Sequence, residues 1–404
     1  MIKSFFYKIL ERRHFWRYAT FGEVADLYAS RTLRIAAVHI GAGFTSVYLY
    51  KSNYDLVFIM IFWALIYLGK AIIAPLAGVI VAKIGTARST LISNLLYIPA
   101  MLSLSSLDRF GFVAIVSFAI FMGVSGTLYE VCYFVEFSRI KNPIHAGKEI
   151  GFMNIFEKVT ITISPVIGGF IALAFGMQVT MLVASVLFAF AAVPLFRSAS
   201  RTESKQRINI RGFPWRMAIA SMFARSAEGF DIVATSIVWG LFVVIFIFPN
   251  AGKDVYVIIG ALSSITVVVA IITSILYGKI IDRDKGGNLL KIGVGSNALV
   301  HISRIFVSTP AGAVGVNIVN EAATTAQNMA FLRGMFDIAD ISGHRILYLV
   351  CIDIMNSLGA MTACLLLIVC EIFIGGLDGF RIYFFLAAFA ILIVGTARFP
   401  IYRK

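Results

Sequence analysis

Six ionisable residues stand inside strongly apolar runs of this 404-residue chain: Lys70, Glu130, Glu157, Lys158, Glu321 and Asp353. A charge held away from water is costly, so such groups are retained where they bind ions or solutes or pair with one another. The chemistry they suit is uptake and release of a proton or a small charged group, rather than bond making. Lys70, in "ALIYLGKAIIAPL", lies about twelve residues from the nearest polar loop, roughly 18 Å along a helix. One side chain cannot snorkel that far. Glu157 and Lys158 are adjacent, about 100° apart on a helix, and need not pair with each other. Arg225, Glu228 and Asp231 form a second group, with Arg225 and Glu228 on one face at i,i+3; their place at the start of an apolar run reads as interfacial. Arg304, near the other end of its run, is expected to snorkel. His39 and His301 are each isolated and are expected to fill core or cavity.

These side chains need elements that carry them into an apolar medium. The chain is 59% hydrophobic and 14% charged, against about 25% charged in soluble domains. A helix crossing a hydrocarbon core needs about 20 apolar residues, and twelve such runs are present, near 28–50, 55–82, 88–107, 110–138, 149–174, 177–197, 217–248, 254–281, 288–308, 311–333, 344–372 and 377–398. The runs are continuous rather than alternating, which excludes a β-barrel; helices satisfy the backbone instead. The expected fold is an all-α membrane protein of twelve transmembrane helices.

Basic residues set the orientation. With both termini cytoplasmic, most of the 35 Lys and Arg fall on the inner side, while Lys51, Arg109, Lys253 and Arg381 occupy outer loops. The net charge of +14 is therefore a topology signal, and no nucleic-acid partner is needed. The first twenty residues, basic and aromatic, read as a short amphipathic cytoplasmic helix rather than a signal peptide. Cys132, Cys351, Cys364 and Cys370 all lie in apolar runs without C-x-x-C spacing, so neither a disulfide framework nor a metal site is expected.

The polar, basic stretch "FRSASRTESKQRINIRGFPW" links run six to run seven. It divides the chain into 1–197, a linker 198–213, and 214–404. The two halves echo each other. "GVIVAKIG" (Gly78–Gly85) aligns with "GKIIDRDKGG" (Gly278–Gly287), Arg31 with Arg225, "EFSR" ending at Arg139 with "AFLR" ending at Arg333, and Glu157 with Asp353. The offsets run from 194 to 200 residues, about half the chain.

This G-x-x-x-[DA]-[RK] loop, present twice, resembles the signature of major facilitator superfamily transporters, and the resemblance in topology covers essentially the whole chain. It implies two pseudo-symmetric six-helix bundles and a cytoplasmic gate drawn from Gly78, Lys83, Gly85, Arg88, Arg139, Gly278, Asp282, Arg283 and Arg333. Family members usually carry an acid in the first copy; here Ala82 stands there and the acid is Asp282 in the second. The alternative is that D-R-D-K is a solvated turn. "SPVIGG", with Pro165, Gly168 and Gly169, resembles an export-associated bend in span five, although helix packing explains those residues equally. The arginine that many proton-coupled exporters carry in span four is absent. In the resembled fold spans two and eleven face each other, and Lys70 and Asp353 lie at depths equal within roughly 3 Å. A Lys70–Asp353 bridge is therefore expected.

Zinc-protease, nucleophile-elbow and phosphate-loop motifs are missing, and the glycine-rich "GVGSNA" and "GAGFTS" lie in spans. The chain reads as no enzyme and needs no cofactor. The expected function is secondary transport of a small organic solute by alternating access, leaning to proton-coupled efflux from the cell membrane, with the protein a monomer in the bilayer. Lys70, Glu130, Glu157, Lys158, Glu321 and Asp353 would serve substrate or ion coupling. Uptake by symport is the alternative within the class, and a non-transporting receptor or scaffold of the same fold is the alternative outside it.

Overall fold

The computed structural model describes residues 21–140, 146–198, 208, 210–264 and 266–402. The proposed amphipathic helix of the first twenty residues and most of the central linker lie outside them. Twelve long helices make up the rest. In the first half they are α1 (Phe21–Ile40), α2 (Leu56–Ile84), α3 (Thr86–Ser105), α4 (Phe112–Ile140), α5 (Ala146–Phe175) and α6 (Met177–Ser198). In the second they are α7 (Trp215–Val233), α8 (in two pieces, Val255–Ser264 and Val267–Ile280), α9 (Gly286–Arg304), α10 (Pro310–Ile341), α11 (Arg345–Phe373) and α12 (Gly376–Leu392). A short helix, Thr45–Lys51, completes the span begun by α1, and α7 continues through two π-helical turns to Ile247.

Local chemistry sets the ends. Asp55 accepts a hydrogen bond from the Phe58 amide at 3.2 Å and opens α2; Thr309 does the same for Gly312 at 3.1 Å, with Pro310 first in α10. Both are N-caps that satisfy an otherwise orphaned amide. Antiparallel neighbours are joined by single glycines at Gly85 (φ 86°) and Gly176 (φ 89°). That left-handed backbone is cheap only for glycine.

Within each half the packing repeats. α3 lies against α4 and α6, and α1 against α5 and α6; α9 lies against α10 and α12, and α7 against α11 and α12. The halves meet along two equivalent seams, α2–α11 and α5–α8. The outward surface is apolar, as at Leu65 (62% exposed), Ile72 (69%) and Phe175 (71%). Exposed apolar area on this scale requires lipid, not water. α3 and α10 turn polar residues inward instead, with Ser93, Asn94, Glu321 and Gln327 all buried.

Expected and observed limits agree within a few residues, with two departures. α10 runs on to Ile341, well past the expected end near 333, and α1 begins at Phe21. The added turns of α10 keep Met335, Phe336 and Ile338 buried but also carry Asp337 and Asp340, and the start of α1 carries Glu23 and Asp26, so their charges hide both extensions from a hydropathy reading.

Candidate functional site: charged residues between the two bundles

Small residues let the bundles approach. A Cβ on Gly78 of α2 would stand 2.6 Å from Val350 of α11, and one on Gly151 of α5 would stand 2.8 Å from the Ser274 carbonyl of α8. Asn154 donates to Ser274 Oγ at 2.7 Å on the same seam. Further along α5, Gly169 leaves room for the Tyr256 carbonyl, and Gly260 of α8 for the carbonyl of Pro165. Gly168 faces α1 of its own half, where a side chain would collide with the Ile40 carbonyl. The "SPVIGG" glycines thus have packing partners, and α5 stays continuous through Pro165.

Between the seams lie the charged residues. Lys70, 6% exposed, reaches Glu130 of α4 with Nζ 2.9 Å from Oε1. The expected bridge to Asp353 is not formed. α4 brings a carboxylate to Lys70 from within the same bundle. Glu157 turns to Arg31 of α1, which donates through Nε at 2.7 Å, and accepts also from the Tyr133 hydroxyl at 3.2 Å. The Arg31 guanidinium lies 3.2 Å from the Tyr133 ring centroid, a cation–π contact. Lys158 points away from its neighbour Glu157 and meets Glu321 of α10 at 2.8 Å, crossing from one bundle to the other. Asp353 of α11 is 1% exposed. Its carboxyl group receives no hydrogen from any fixed donor and neighbours that of Glu130.

Arg225 and Glu228 pair at 2.6 Å, as their spacing suggests, but are buried at 7% and 4% exposure rather than interfacial. Asp231 belongs to a polar network that sequence reading missed. It accepts from Asn297 Nδ2 and bonds His301 Nε2, both at 2.8 Å. Arg304 does not snorkel: fully buried, it lies 3.1 Å from His301 Nδ1 and donates to Thr235 and Asn320. His301 is therefore no lone packing residue. A signal for this network was present, since Asn297, His301 and Arg304 recur at i,i+4 and i+7 on one face of α9. His39 is half-buried on α1.

At the end of the bundles that bears the α6–α7 connection, Phe137 packs on Phe336 at 5.0 Å between ring centroids, and Ser138 donates to Asp340 at 3.2 Å. Both contacts join α4 to α10. The Asp282–Lys285 turn packs against α5 of the other half, with Asp284 in left-handed geometry (φ 61°) and Arg283 exposed. Gly278 is buried and Asp282 half-buried. Lys83 and Arg88 are exposed, Gly85 forms the α2–α3 turn, and Arg333 is half-buried on α10. The side chain of Arg139 lies outside the described residues.

The arrangement can hold charge between two bodies that touch along two seams. Comparison with known proteins agrees. A bacterial homologue of the iron transporter ferroportin, in an outward-facing state, superposes with a TM-score of 0.69 at 13% identity, over 94% of this chain and 98% of that one. The human organic anion transporter MFSD10 (TETRAN) gives 0.68 at 10% identity, over 92% and 99%. At such identities the likeness is one of fold. A comparison with curated protein sequences returns no match. The family model described as Major Facilitator Superfamily matches residues 32–336, and with the fold and paired bundles in place, this chain belongs to the major facilitator superfamily of membrane transporters.

Proposed function

We propose that this protein exports a small organic solute across the cell membrane by alternating access, in exchange for protons, with both termini cytoplasmic and a single chain as the working unit. Units of 1–197 and 214–404, joined by a linker over 198–213, would be the two rocking bodies. The observation that carries the reading is the Lys158–Glu321 pair, which links α5 to α10 while the other charged residues remain poised between the same two bodies. A scaffold gains nothing from buried charge of this kind, whereas a carrier uses it to bind ions and to distinguish two conformations. In this reading Lys70, Glu130, Glu157, Lys158, Glu321 and Asp353 serve coupling or substrate. The contacts of α4 with α10, together with Gly78 and the Asp282 turn, form the cytoplasmic closure.

Export leans on the "SPVIGG" resemblance, which the packing of Gly168 and Gly169 does not require. Uptake is the competing direction. Transport into everted and right-side-out vesicles under an imposed pH gradient tests the proposal. Solute accumulation in everted vesicles with an acidic lumen supports it. Accumulation only in right-side-out vesicles reverses the direction. Absence of movement for every solute class, with a protein partner recovered on pull-down, replaces transport with a scaffold role.

A further inference from the structure

Four acids described above each have a cation of their own, and Asp231 is held by His301 and Asn297. Glu157 has Arg31, Glu130 has Lys70, Glu321 has Lys158 and Glu228 has Arg225. Asp353 has none, although it is 1% exposed and both its oxygens lack a donor. The groups acting on it are Glu130 from α4, Lys70 from α2 and Arg225 from α7. Lys70 and Arg225 are already engaged. α12 presents Tyr383 further along α11, towards Cys364, and the acid of α10, Glu321, is held by Lys158. Arg34, also buried, is occupied by Asn94, Ser125 and the Tyr129 ring within the first bundle.

A buried carboxylate with no cation and no donor is costly. The charged group that acts on it most strongly is another carboxylate, and Glu130 Oε2 also lacks a donor. One proton resolves both deficits. We infer that Glu130 and Asp353 together bind a single proton, as an O–H···O hydrogen bond between α4 and α11, and that this pair is the coupling-ion site of the transporter proposed above. Binding adds one proton from water to one carboxylate oxygen; release returns it to water on the other side, and no other bond changes. Like charges that act on each other in a buried setting cannot both remain ionised without cost, so the pair holds its proton while the bundles are together.

The consequence is directional. With the proton bound, α4 and α11 are joined by a hydrogen bond, and Lys70 stays on Glu130. When it leaves, two carboxylates face each other across the bundles with one ammonium between them. Proton loss therefore favours separation of the halves at the end where Phe137 meets Phe336.

Asn356 Oδ1 and Ser357 Oγ, one turn along α11, also lack partners. Oxygens of that kind would equally suit a sodium ion, so the test includes a sodium arm. Spin labels at Lys83→Cys and Ile341→Cys, in a background lacking the four native cysteines, report the separation of the halves in nanodiscs without solute. From about pH 5 to about pH 9 the ratio of separated to closed molecules is expected to rise by at most tenfold per pH unit, the limit for one linked proton. Asp353→Asn should stay closed and lose the response; Glu130→Gln should flatten it. An unchanged pH response in Asp353→Asn overturns the assignment. So does a shift produced at fixed pH by exchanging choline chloride for sodium chloride, which would make the site one for sodium. Either result leaves the transport reading standing, because that reading fails only on solute movement.

Discussion

Lys158 Nζ lies 2.8 Å from Glu321 Oε1, and the two residues come from α5 and α10, one in each bundle. Both are part-buried, at 23% and 11% side-chain exposure. The pair is thus a fastening that must be broken and remade if the bundles rock apart at this depth. Contact between residues so placed produces coupling energies of roughly 0.5–3 kcal/mol in double-mutant cycles. Lys158→Ala, Glu321→Ala and the double variant, compared by thermal unfolding in nanodiscs, should therefore be non-additive by about that amount. Additive losses would mean that each residue faces water separately.

The Lys70–Glu130 pair makes a sharper prediction, because it lies within one bundle. Lys70 is buried while the Glu130 side chain is 34% exposed, so solvent screens the pair and its loss costs less than the roughly 3–5 kcal/mol of a fully buried one. Lys70→Ala and Glu130→Ala are each expected to lower stability by about 1–3 kcal/mol in thermal unfolding. Exchange of the two, as Lys70→Glu with Glu130→Lys, should recover part of the stability. Exchange between Lys70 and Asp353 should recover none. Recovery by the second exchange alone would restore the bridge that sequence depth suggested.

Arg304 offers a direct contrast between surface and core. A snorkelling arginine could be shortened with little effect. The buried one binds His301, Thr235 and Asn320 and lies over the Trp239 ring at 5.1 Å. Arg304→Ala should lower stability by about 1–3 kcal/mol, because buried Asn320 and His301 lose a partner, and Arg304→Lys should recover only part, since an ammonium lacks the planar fork that reaches several acceptors. Equal stability of Arg304→Ala and the parent in chemical unfolding would contradict the network.

Orientation is tested by single cysteines at exposed positions on the two faces. Asn53, Phe110 and Gly376 lie at one end of the bundles, and Lys83 and Arg283 at the other. In intact cells an impermeant thiol reagent should label the first three and spare the last two. Labelling of the opposite set would invert the topology, and a mixed pattern would break the even count of spans.

What the sequence determined by itself was the ladder of spans and its doubling. Helix limits in a bilayer follow from one dominant cost, the exposure of backbone and charge to hydrocarbon, and that cost is read directly from apolar run length. The repeats at Gly78 and Gly278, and at Arg31 and Arg225, were legible as residue types recurring half a chain apart; their partners differ, Arg31 taking Glu157 of α5 and Arg225 taking Glu228 of its own helix. Lys70 and Asp353 were recognisable as costly residues from their depth alone. Their partners were not. Pairing is decided by which helices become neighbours and how they rotate about their axes, and linear spacing carries that only within one helix, as for Arg225 and Glu228. The union of Lys70 with Glu130, of Lys158 with Glu321, and of Asp231 with His301 required the packing of α2 on α4, α5 near α10 and α7 near α9. The seams that seat these helices, α2–α11 and α5–α8, depend on small residues such as Gly78 and Gly151, whose meaning appears only when the opposing helix arrives.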